Sequence, residues 1–220
     1  MLVAVTGCAG EFSTLDPAGP SARGAALLWW GMAGAFTLVW IFMVVLWLVA
    51  VRRDPGEVDD AAAERLQTRW IVGGGLVLPL VAIIAILIPG IPIGHGMLPT
   101  ADDDVLKIEV TGHQWWWEVH YPDTGLTLED EVHMPAGVPV HIHLRSADVI
   151  HSFWVPRLAG KLDAIPGHEN VLKLEADEPG SYRGACAEFC GALHAHMGFV
   201  VHVHTVNDFE AWLEGAAEDD

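Results

Sequence analysis

The sequence predicts a membrane-anchored all-β protein, in which a two-helix transmembrane hairpin precedes a β-sandwich. Two long apolar runs predict the hairpin, and short alternating segments after residue 100 predict the sandwich. The composition agrees, because 52% of the residues are hydrophobic and the mean hydropathy is +0.34, which is high for a soluble protein. A chain of 220 residues has room for one compact domain and additional elements, but not for two full domains.

Residues 1–24 predict a lipoprotein-like signal remnant followed by a tether. A short apolar stretch and small residues precede Cys8, as at the end of a bacterial lipoprotein signal. We therefore expect processing and lipidation at Cys8, with an unmodified thiol as the alternative. Residues 9–24 are rich in glycine, proline and serine, which predicts a flexible N-terminal tether.

Residues 25–93 predict the hairpin. No charge occurs between residues 25 and 51, and a helix of that length measures about 40 Å, enough to cross a hydrocarbon core of about 30 Å. The second apolar run covers residues 70–88, and we expect Pro89 and Pro92 to end it.

The connecting loop 52–69 indicates the orientation of the hairpin. It carries four of the five basic residues that precede Lys107. Loops enriched in lysine and arginine remain in the cytoplasm. The sequence therefore predicts a cytoplasmic loop, with the N-terminus and everything after Ile93 on the outer side.

Residues 101–206 predict the β-sandwich. Hydrophobic residues alternate with polar ones at 105–110, 138–144 and 198–204, and Pro, Gly and Asp turns separate these segments. Residues 207–220 predict a C-terminal helix and an acidic tail. The helix is expected over 207–214, with Asn207 as its N-cap.

The charge distribution limits the possible partners. The net charge is −18, and from residue 101 onward 22 acidic residues stand against 6 basic ones. Such a surface repels nucleic acid and anionic lipid and attracts a basic partner. Simple solubility is the alternative interpretation.

The segment 186–197 carries the strongest chemical signal. Two thiols (Cys186 and Cys190), one imidazole (His194) and one thioether (Met197) lie within twelve residues. Soft sulfur ligands with imidazole favour copper or zinc over magnesium or calcium, and methionine is a weak ligand typical of electron-transfer copper. Because two cysteines are present, two bridging thiolates could hold a pair of copper ions.

A pair of copper ions needs a second imidazole and a second weak ligand. His151 follows a predicted strand about 35 residues upstream, so a sandwich can bring it beside the cysteine loop. The backbone carbonyl of Glu188 is placed to supply the weak ligand. A disulfide between the two cysteines and a zinc site are the alternatives at this point.

The chain closely resembles subunit II of cytochrome c oxidase. Residues 186–197 match the family motif Cys-x-Glu-x-Cys-x3-His-x2-Met at every position. The resemblance extends to both apolar runs and to further segments at 15–20, 112–117, 148–154 and 161–167. It implies a cupredoxin-like sandwich and an electron-accepting subunit of a haem–copper oxidase. The haem belongs to partner subunit I, and a separate cytochrome c is the donor.

The resemblance also assigns roles to individual residues. It implies that two copper ions (the copper A centre) are bound by His151, Cys186, the Glu188 carbonyl, Cys190, His194 and Met197. It implies that the Glu188 carboxylate reaches a magnesium ion at the boundary with subunit I. Trp115 matches the tryptophan that receives electrons, and strand alternation would place it on the same face as Trp117. The expected docking residues for cytochrome c are Asp148 and Asp163, with Glu118, Asp123 and Glu129 as additions.

One position departs from the family pattern. Where many relatives carry a glutamate at the mouth of a proton channel, this chain has Gln67, and Glu64 lies one helical turn away as a substitute. Three other protein classes stay open: a quinol oxidase subunit without copper, a domain of nitrous-oxide reductase and a copper carrier. Intact ligands argue against the first, and the two spans argue against the others.

Overall fold

The computed structural model describes residues 7–54, 56, 59–99 and 105–218. The expected signal remnant at 1–6 and the end of the acidic tail at 219–220 lie outside these residues. The described chain divides into two compact units, one formed by residues 27–95 and the other by the remainder.

The apolar unit is helical. Helix α1 covers Pro20–Arg52. A second continuous helical stretch consists of α2 (Asp60–Val72), a π-helical segment (Gly73–Val77) and α3 (Leu78–Gly96). Both stretches are long and apolar enough to cross a membrane, which confirms the two predicted apolar helices.

The boundaries of the second helix differ from the prediction. Helix α2 begins at Asp60, where the Asp59 carboxylate accepts the Ala62 N–H, so most of the expected loop 52–69 is helical. Pro89 and Pro92 lie inside α3 and do not end it. The physical reason is the apolar surroundings of a spanning helix. No water is available there to hydrogen-bond the backbone groups that an interrupted helix would expose, so the helix continues and proline is tolerated.

The second unit contains two five-stranded sheets. The strands of the first sheet are β1 (Lys107–His113), β2 (Trp116–His120), β3 (Thr127–Glu129), β5 (Val140–Ser146) and β8 (Asn170–Leu174). Those of the second are β4 (Glu131–Pro135), β6 (His151–Trp154), β7 (Leu162–Ala164), β9 (Gly180–Cys186) and β10 (Gly198–His204). The first sheet has the order β3-β2-β1-β5-β8 and the second the order β4-β10-β9-β6-β7.

The inward residues of both sheets form one hydrophobic core. Ile108 and Val110 of β1, Trp117 of β2 and Val201 of β10 are fully buried, as expected from the alternation of apolar and polar residues. Burial of this apolar surface is the main stabilising contribution to such a sandwich. The predicted arrangement of an apolar helical hairpin followed by a β-sandwich is confirmed.

Helix α4 (Val206–Glu218) follows β10 and packs Phe209, Trp212 and Leu213 against this core. Its first turn is capped by Thr205, whose hydroxyl accepts the Asp208 N–H at 3.2 Å. The expected cap, Asn207, lies within the helix. Thr205 takes this role because the helix begins one residue earlier than predicted.

The expected tether is partly ordered. The Ala18 N–H donates to the Arg157 carbonyl at 2.7 Å, and the Asp177 N–H donates to the Ala18 carbonyl at 2.8 Å. Gly19 leaves no space for a side chain, because an added Cβ would lie 2.3 Å from the Glu175 carbonyl oxygen. Residues 18 and 19 therefore contact the sandwich and residues 20–24 belong to α1, where the sequence predicted a flexible tether.

Candidate metal centre

One end of the second sheet gathers the predicted metal ligands. His151 is the first residue of β6, Cys186 is the last of β9, and Met197 directly precedes β10. The Cys186 N–H donates to the Met197 carbonyl at 2.9 Å, which fixes the two ends of the ligand loop side by side. Strand pairing therefore joins residues that are 35 and 46 positions apart in sequence.

The loop between Cys186 and Met197 turns sharply twice. Gly191 has φ +126°, a conformation that favours glycine, and it directly follows Cys190. A short 3-10 helix at His194–His196 then returns the chain to β10. These two turns bring His194 back onto Cys190, as the spacing of three residues between them allows.

Each sulfur of the cysteine pair has the same three kinds of neighbour. Cys186 Sγ lies 3.9 Å from His151 Nδ1 and 3.2 Å from the Glu188 carbonyl oxygen. Cys190 Sγ lies 3.5 Å from His194 Nδ1 and 3.7 Å from Met197 Sδ. The two sulfurs are 3.8 Å apart. Each of these two thiols therefore has the other thiol, one imidazole and one weak donor as neighbours.

The two thiols are not joined by a disulfide in this structure, since a bonded pair would be about 2.05 Å apart. Burial, followed by the charge of Cys186, raises the pKa of Cys190 to about 12. Two adjacent thiolates therefore require a cation, and metal binding here would release protons. The donor set of two thiols, two imidazoles, a thioether and a carbonyl fits copper.

Asp148 holds the imidazole of His151. Its carboxylate lies 2.8 Å from His151 Nε2 and accepts the backbone N–H groups of Gln114 and Val149. The pKa of Asp148 is lowered, because the hydrogen bonds to His151, Val149 and Gln114 outweigh the larger single effect of burial. The Asp148 carboxylate therefore already accepts hydrogen bonds within the protein, although the sequence predicted it as a docking residue.

Two residues of the segment 112–117 contact the candidate ligands from the first sheet or the turn that follows it. The Gln114 side chain donates to the Cys190 carbonyl at 2.7 Å. At Gly112 an added Cβ would lie 2.7 Å from His151 Cδ2. Sequence reasoning did not assign these two residues, although the segment stood out as a motif. Their partners lie 39 and 76 positions away, so only the folded chain connects them.

Trp115 lies beside the ligand loop and is partly buried. An added Cβ at Gly191 would be 3.2 Å from its indole nitrogen, so the ring packs on the residue that follows Cys190. Trp115 directly precedes β2, which begins at Trp116, so the expected common face with Trp117 stays a prediction. Trp117 is in the core, and Trp116 stacks on His113 at 4.4 Å.

The other predicted site residues do not converge on the thiols. The Glu188 carboxylate points to Lys161, 3.5 Å away. Asp163 lies in β7 opposite Ser152, next to His151, and its carbonyl accepts the Asn170 amide at 2.7 Å. Cys8 is exposed and not disulfide-bonded. His196 is exposed between His194 and Met197.

Comparison with known proteins identifies the family. Residues 124–204 match the family described as "Cytochrome C oxidase subunit II, periplasmic domain". Cytochrome c oxidase subunit 2 of Alkalihalophilus pseudofirmus is 35% identical over 98% of this chain and 66% of its own length. The chain belongs to the subunit II family of haem–copper oxidases.

Other similarities add to this. This chain is also similar to the crystal structure of the periplasmic domain of subunit II of cytochrome oxidase from Bradyrhizobium japonicum. The two share 32% identity with a TM-score of 0.51, and the match covers 56% of this chain and 99% of that one. Quinol oxidase subunit 2 of Bacillus cereus is 29% identical over 99% of this chain and 77% of its own.

These findings establish a membrane-anchored subunit II with a periplasmic domain. The family assignment and the fold class stand as predicted. Relatives named for both cytochrome c and quinol occur among the similar proteins, so the electron donor is a separate question.

Proposed function

We propose that this subunit II belongs to an aerobic cytochrome c oxidase. It would accept electrons from a cytochrome c at a copper A centre and pass them to haem in subunit I, where oxygen is reduced to water. The observation that carries this proposal is the neighbourhood of the two thiols, each of which has one imidazole and one weak donor within 3.9 Å.

Six residues would hold the two copper ions: His151, Cys186, Glu188 through its carbonyl, Cys190, His194 and Met197. When bound, such a metal pair supplies one-electron oxidation and reduction with little change of geometry. The protein's own contribution is a rigid and dry site. His151 is fully buried, and Cys186, Cys190 and Met197 are all below 7% exposed, so water is excluded from the sulfurs.

The intact thiol pair favours cytochrome c over quinol as the electron donor. A quinol-oxidising module without copper has no use for two buried, unpaired thiols beside two imidazoles. Keeping such thiols reduced is costly in an oxidising compartment, where disulfides form readily. The similarity to subunits named for quinol oxidases is therefore better explained by the shared fold than by a shared donor.

Trp115 is the proposed point of electron uptake. Its indole packs against Gly191, the residue that follows Cys190, and it remains partly exposed. A flat aromatic surface one residue from a metal-binding thiol offers a docked haem protein a short path to the centre. This role needs contact with solvent on one edge only, which the partial burial provides.

A basic cytochrome c would dock beside this tryptophan. Asp148 and Asp163 remain the proposed docking residues, with Glu118, Asp123 and Glu129 as additions. Asp148 retains 31% side-chain exposure, so it can serve an incoming cation while it holds His151. The net charge of −18 supports long-range attraction of a positively charged partner.

Glu188 is the proposed ligand of a magnesium ion at the interface with subunit I. Its carboxylate is 47% exposed and is paired with Lys161. A hard carboxylate oxygen suits magnesium, and the ion would have to replace the lysine as the partner. The carbonyl of the same residue faces Cys186, so one residue would connect both metals.

The membrane arrangement completes the proposal. We place the protein in the plasma membrane of a bacterium, with residues 25–93 as the transmembrane hairpin and the 52–69 connection in the cytoplasm. The copper A domain, residues 101–206, would then face the periplasm with the helix and tail at 207–220. Lipidation of the exposed Cys8 would add an anchor on the same side.

Copper analysis of the full-length chain in detergent tests this proposal. We expect two copper ions per chain, a purple colour and a multi-line electron paramagnetic resonance signal from a shared unpaired electron. A single colourless zinc ion, or a disulfide between the two cysteines in freshly prepared protein, would contradict the proposal.

The ligand loop offers a matched control. His194→Gln should abolish the multi-line signal, whereas His196→Gln, two residues away in the same turn, should keep it. Oxygen uptake by the assembled oxidase with reduced cytochrome c or with a quinol then identifies the donor. Activity with quinol alone would retain the subunit assignment and overturn the donor.

A further inference from the structure

A second group of histidines lies on the outer face of the second sheet, away from the thiols. Strands β4 and β10 run parallel, with His133 directly opposite His202. Glu131 and His204 lie two residues from these positions on their own strands, and residues two apart share a face of a sheet. Three imidazoles and a carboxylate are therefore neighbours on one face.

We propose that Glu131, His133 and His202 bind a divalent transition-metal ion of the zinc type at a site separate from the thiol centre. The ligand atoms of these three residues all lie within 4.8 Å of one another. Imidazole and carboxylate together suit zinc and its borderline neighbours. A side-chain rotation of modest size would bring three such atoms to within about 2.0–2.2 Å of one ion, the distance that zinc requires.

The hydrogen bonds around the histidines resemble the outer shell of a metal site. Metal-binding histidines usually engage their second ring nitrogen with a protein group, which orients the ring. His133 Nδ1 lies 2.9 Å from His204 Nε2, and His202 Nδ1 lies 3.2 Å from Ser181 Oγ. His133 and His202 therefore keep their Nε2 atoms for a metal, and His133 Nε2 already faces Glu131 at 3.7 Å.

Trp212 of α4 fixes the central ring. Its indole stacks on His133 with a centroid distance of 3.9 Å and an interplanar angle of 1°. A stacked ring has little rotational freedom, so less entropy is lost when it binds a ligand. The exposed Glu131 leaves the site accessible to an ion from solvent.

The site is independent of the proposed copper ligands. His202 is five residues beyond Met197 along β10, which is roughly 17 Å at about 3.4 Å per residue. A bound ion would connect β4 with β10, and through the stacked Trp212 it would hold α4. The consequence is added stability of the second sheet and the C-terminal helix.

The test is a Zn²⁺ titration of the full-length chain that carries Cys186→Ser and Cys190→Ser, because this adjacent pair of thiols would also bind zinc. We expect one equivalent of Zn²⁺ by calorimetry and a higher melting temperature. His202→Gln should weaken binding by more than about tenfold, since losing an outer-shell partner alone costs about 10–100-fold. His168→Gln, an exposed histidine elsewhere in the sandwich, should leave binding unchanged.

Glu131→Gln gives a second test that changes only an exposed side chain, with circular dichroism as the check on folding. It should also weaken binding. Binding that is unaffected by both substitutions, or absent in the folded protein with serine at the two cysteine positions, would overturn the proposal. Titrating wild-type chain with Co²⁺ adds a spectroscopic check. Thiolate binding produces near-ultraviolet charge-transfer bands, so a second equivalent without them reports the histidine site.

Discussion

The Asp148 carboxylate lies 2.8 Å from Nε2 of the fully buried His151, whose Nδ1 faces the Cys186 sulfur. The imidazole is therefore held between an acid on one side and a thiol on the other. Such an arrangement fixes both the orientation and the tautomer of a metal-binding histidine. Asp148 is a positioning residue for the centre, whatever further role it has in docking.

Replacing Asp148 by asparagine should therefore weaken copper retention. The amide cannot hold the imidazole as the carboxylate does, and we expect a loss of about 10–100-fold in affinity. Competition with a copper chelator measures it. Asp163→Asn is the control, because the contact described for Asp163 uses its backbone carbonyl. If Asp148→Asn raises only the KM for cytochrome c and leaves copper retention intact, Asp148 acts in docking alone.

Replacing Gly112 by alanine should displace His151. The added methyl group would lie 2.7 Å from Cδ2 and 3.0 Å from Cγ of the imidazole, closer than carbon atoms approach without repulsion. We expect less than full copper loading and a lower melting temperature. Gly160→Ala, where the methyl group would meet no atom within 4 Å, should change neither quantity. Full loading in Gly112→Ala would show that the histidine can move.

Turnover with a basic cytochrome c should fall as ionic strength rises. The domain that follows residue 101 carries 22 acidic and 6 basic residues, and salt screens attraction between exposed charges beyond about 8–10 Å. Steady-state oxygen uptake by the assembled oxidase measures this effect. Asp163→Asn should reduce the slope of the salt dependence. Equal rates at low and high salt would contradict electrostatic docking.

Acid stability should depend on Glu169. Its hydrogen bond to His143, assisted by the charge of Arg145, lowers the pKa of this carboxyl below 4.5. Because the folded state then binds protons less readily than the unfolded state, the stabilising contribution is present above pH 4.5 and is lost as the pH falls through the folded-state value.

Thermal unfolding below pH 4.5 checks this expectation. The melting temperature of Glu169→Gln should fall less steeply with decreasing pH than that of the wild type, because the substituted side chain no longer titrates. Glu210→Gln, at an exposed position of α4, should follow the wild-type curve. Parallel curves for wild type and Glu169→Gln would argue against a lowered pKa of Glu169 in the folded protein.

The N-cap of α4 gives a further test. Thr205→Ala removes the hydroxyl that accepts the Asp208 N–H and should cost about 1 kcal/mol of unfolding free energy. Asn207→Ala should have a much smaller effect, because Asn207 lies inside the helix. Equal losses in the two variants would return the capping role to Asn207.

Much of the fold follows from local sequence. The strands β1 and β10 alternate clearly, and their buried residues are the ones the alternation selects. In β5 the alternation selects Val140, Ile142 and Leu144, but His141 is buried as well. The short strands β3 and β7 have three residues each, too few to show a period. The helix through Pro89 and Pro92 was missed because the rule that proline ends a helix assumes surrounding water.

The candidate centre divides in the same way. Cys186, Cys190, His194 and Met197 lie in one short segment, so their spacing alone indicates a shared site. Gln114 and Gly112 contact the centre only through strand pairing across the sandwich. The second role of Asp148 was likewise hidden, since an acidic residue in a sequence does not reveal which backbone N–H groups it accepts.

The bonds between Ala18 and the sandwich restrict how the chain can be threaded through a bilayer. Ala18 pairs with Arg157 and Asp177, so the segment before α1 and the strands after α3 must end in the same aqueous compartment. The polypeptide between them must therefore traverse the lipid an even number of times. In a variant in which only one helix inserted, Ala18 and its two partners would lie on opposite sides of the membrane. The hydrogen bonds of Ala18 therefore form only when both helices have inserted.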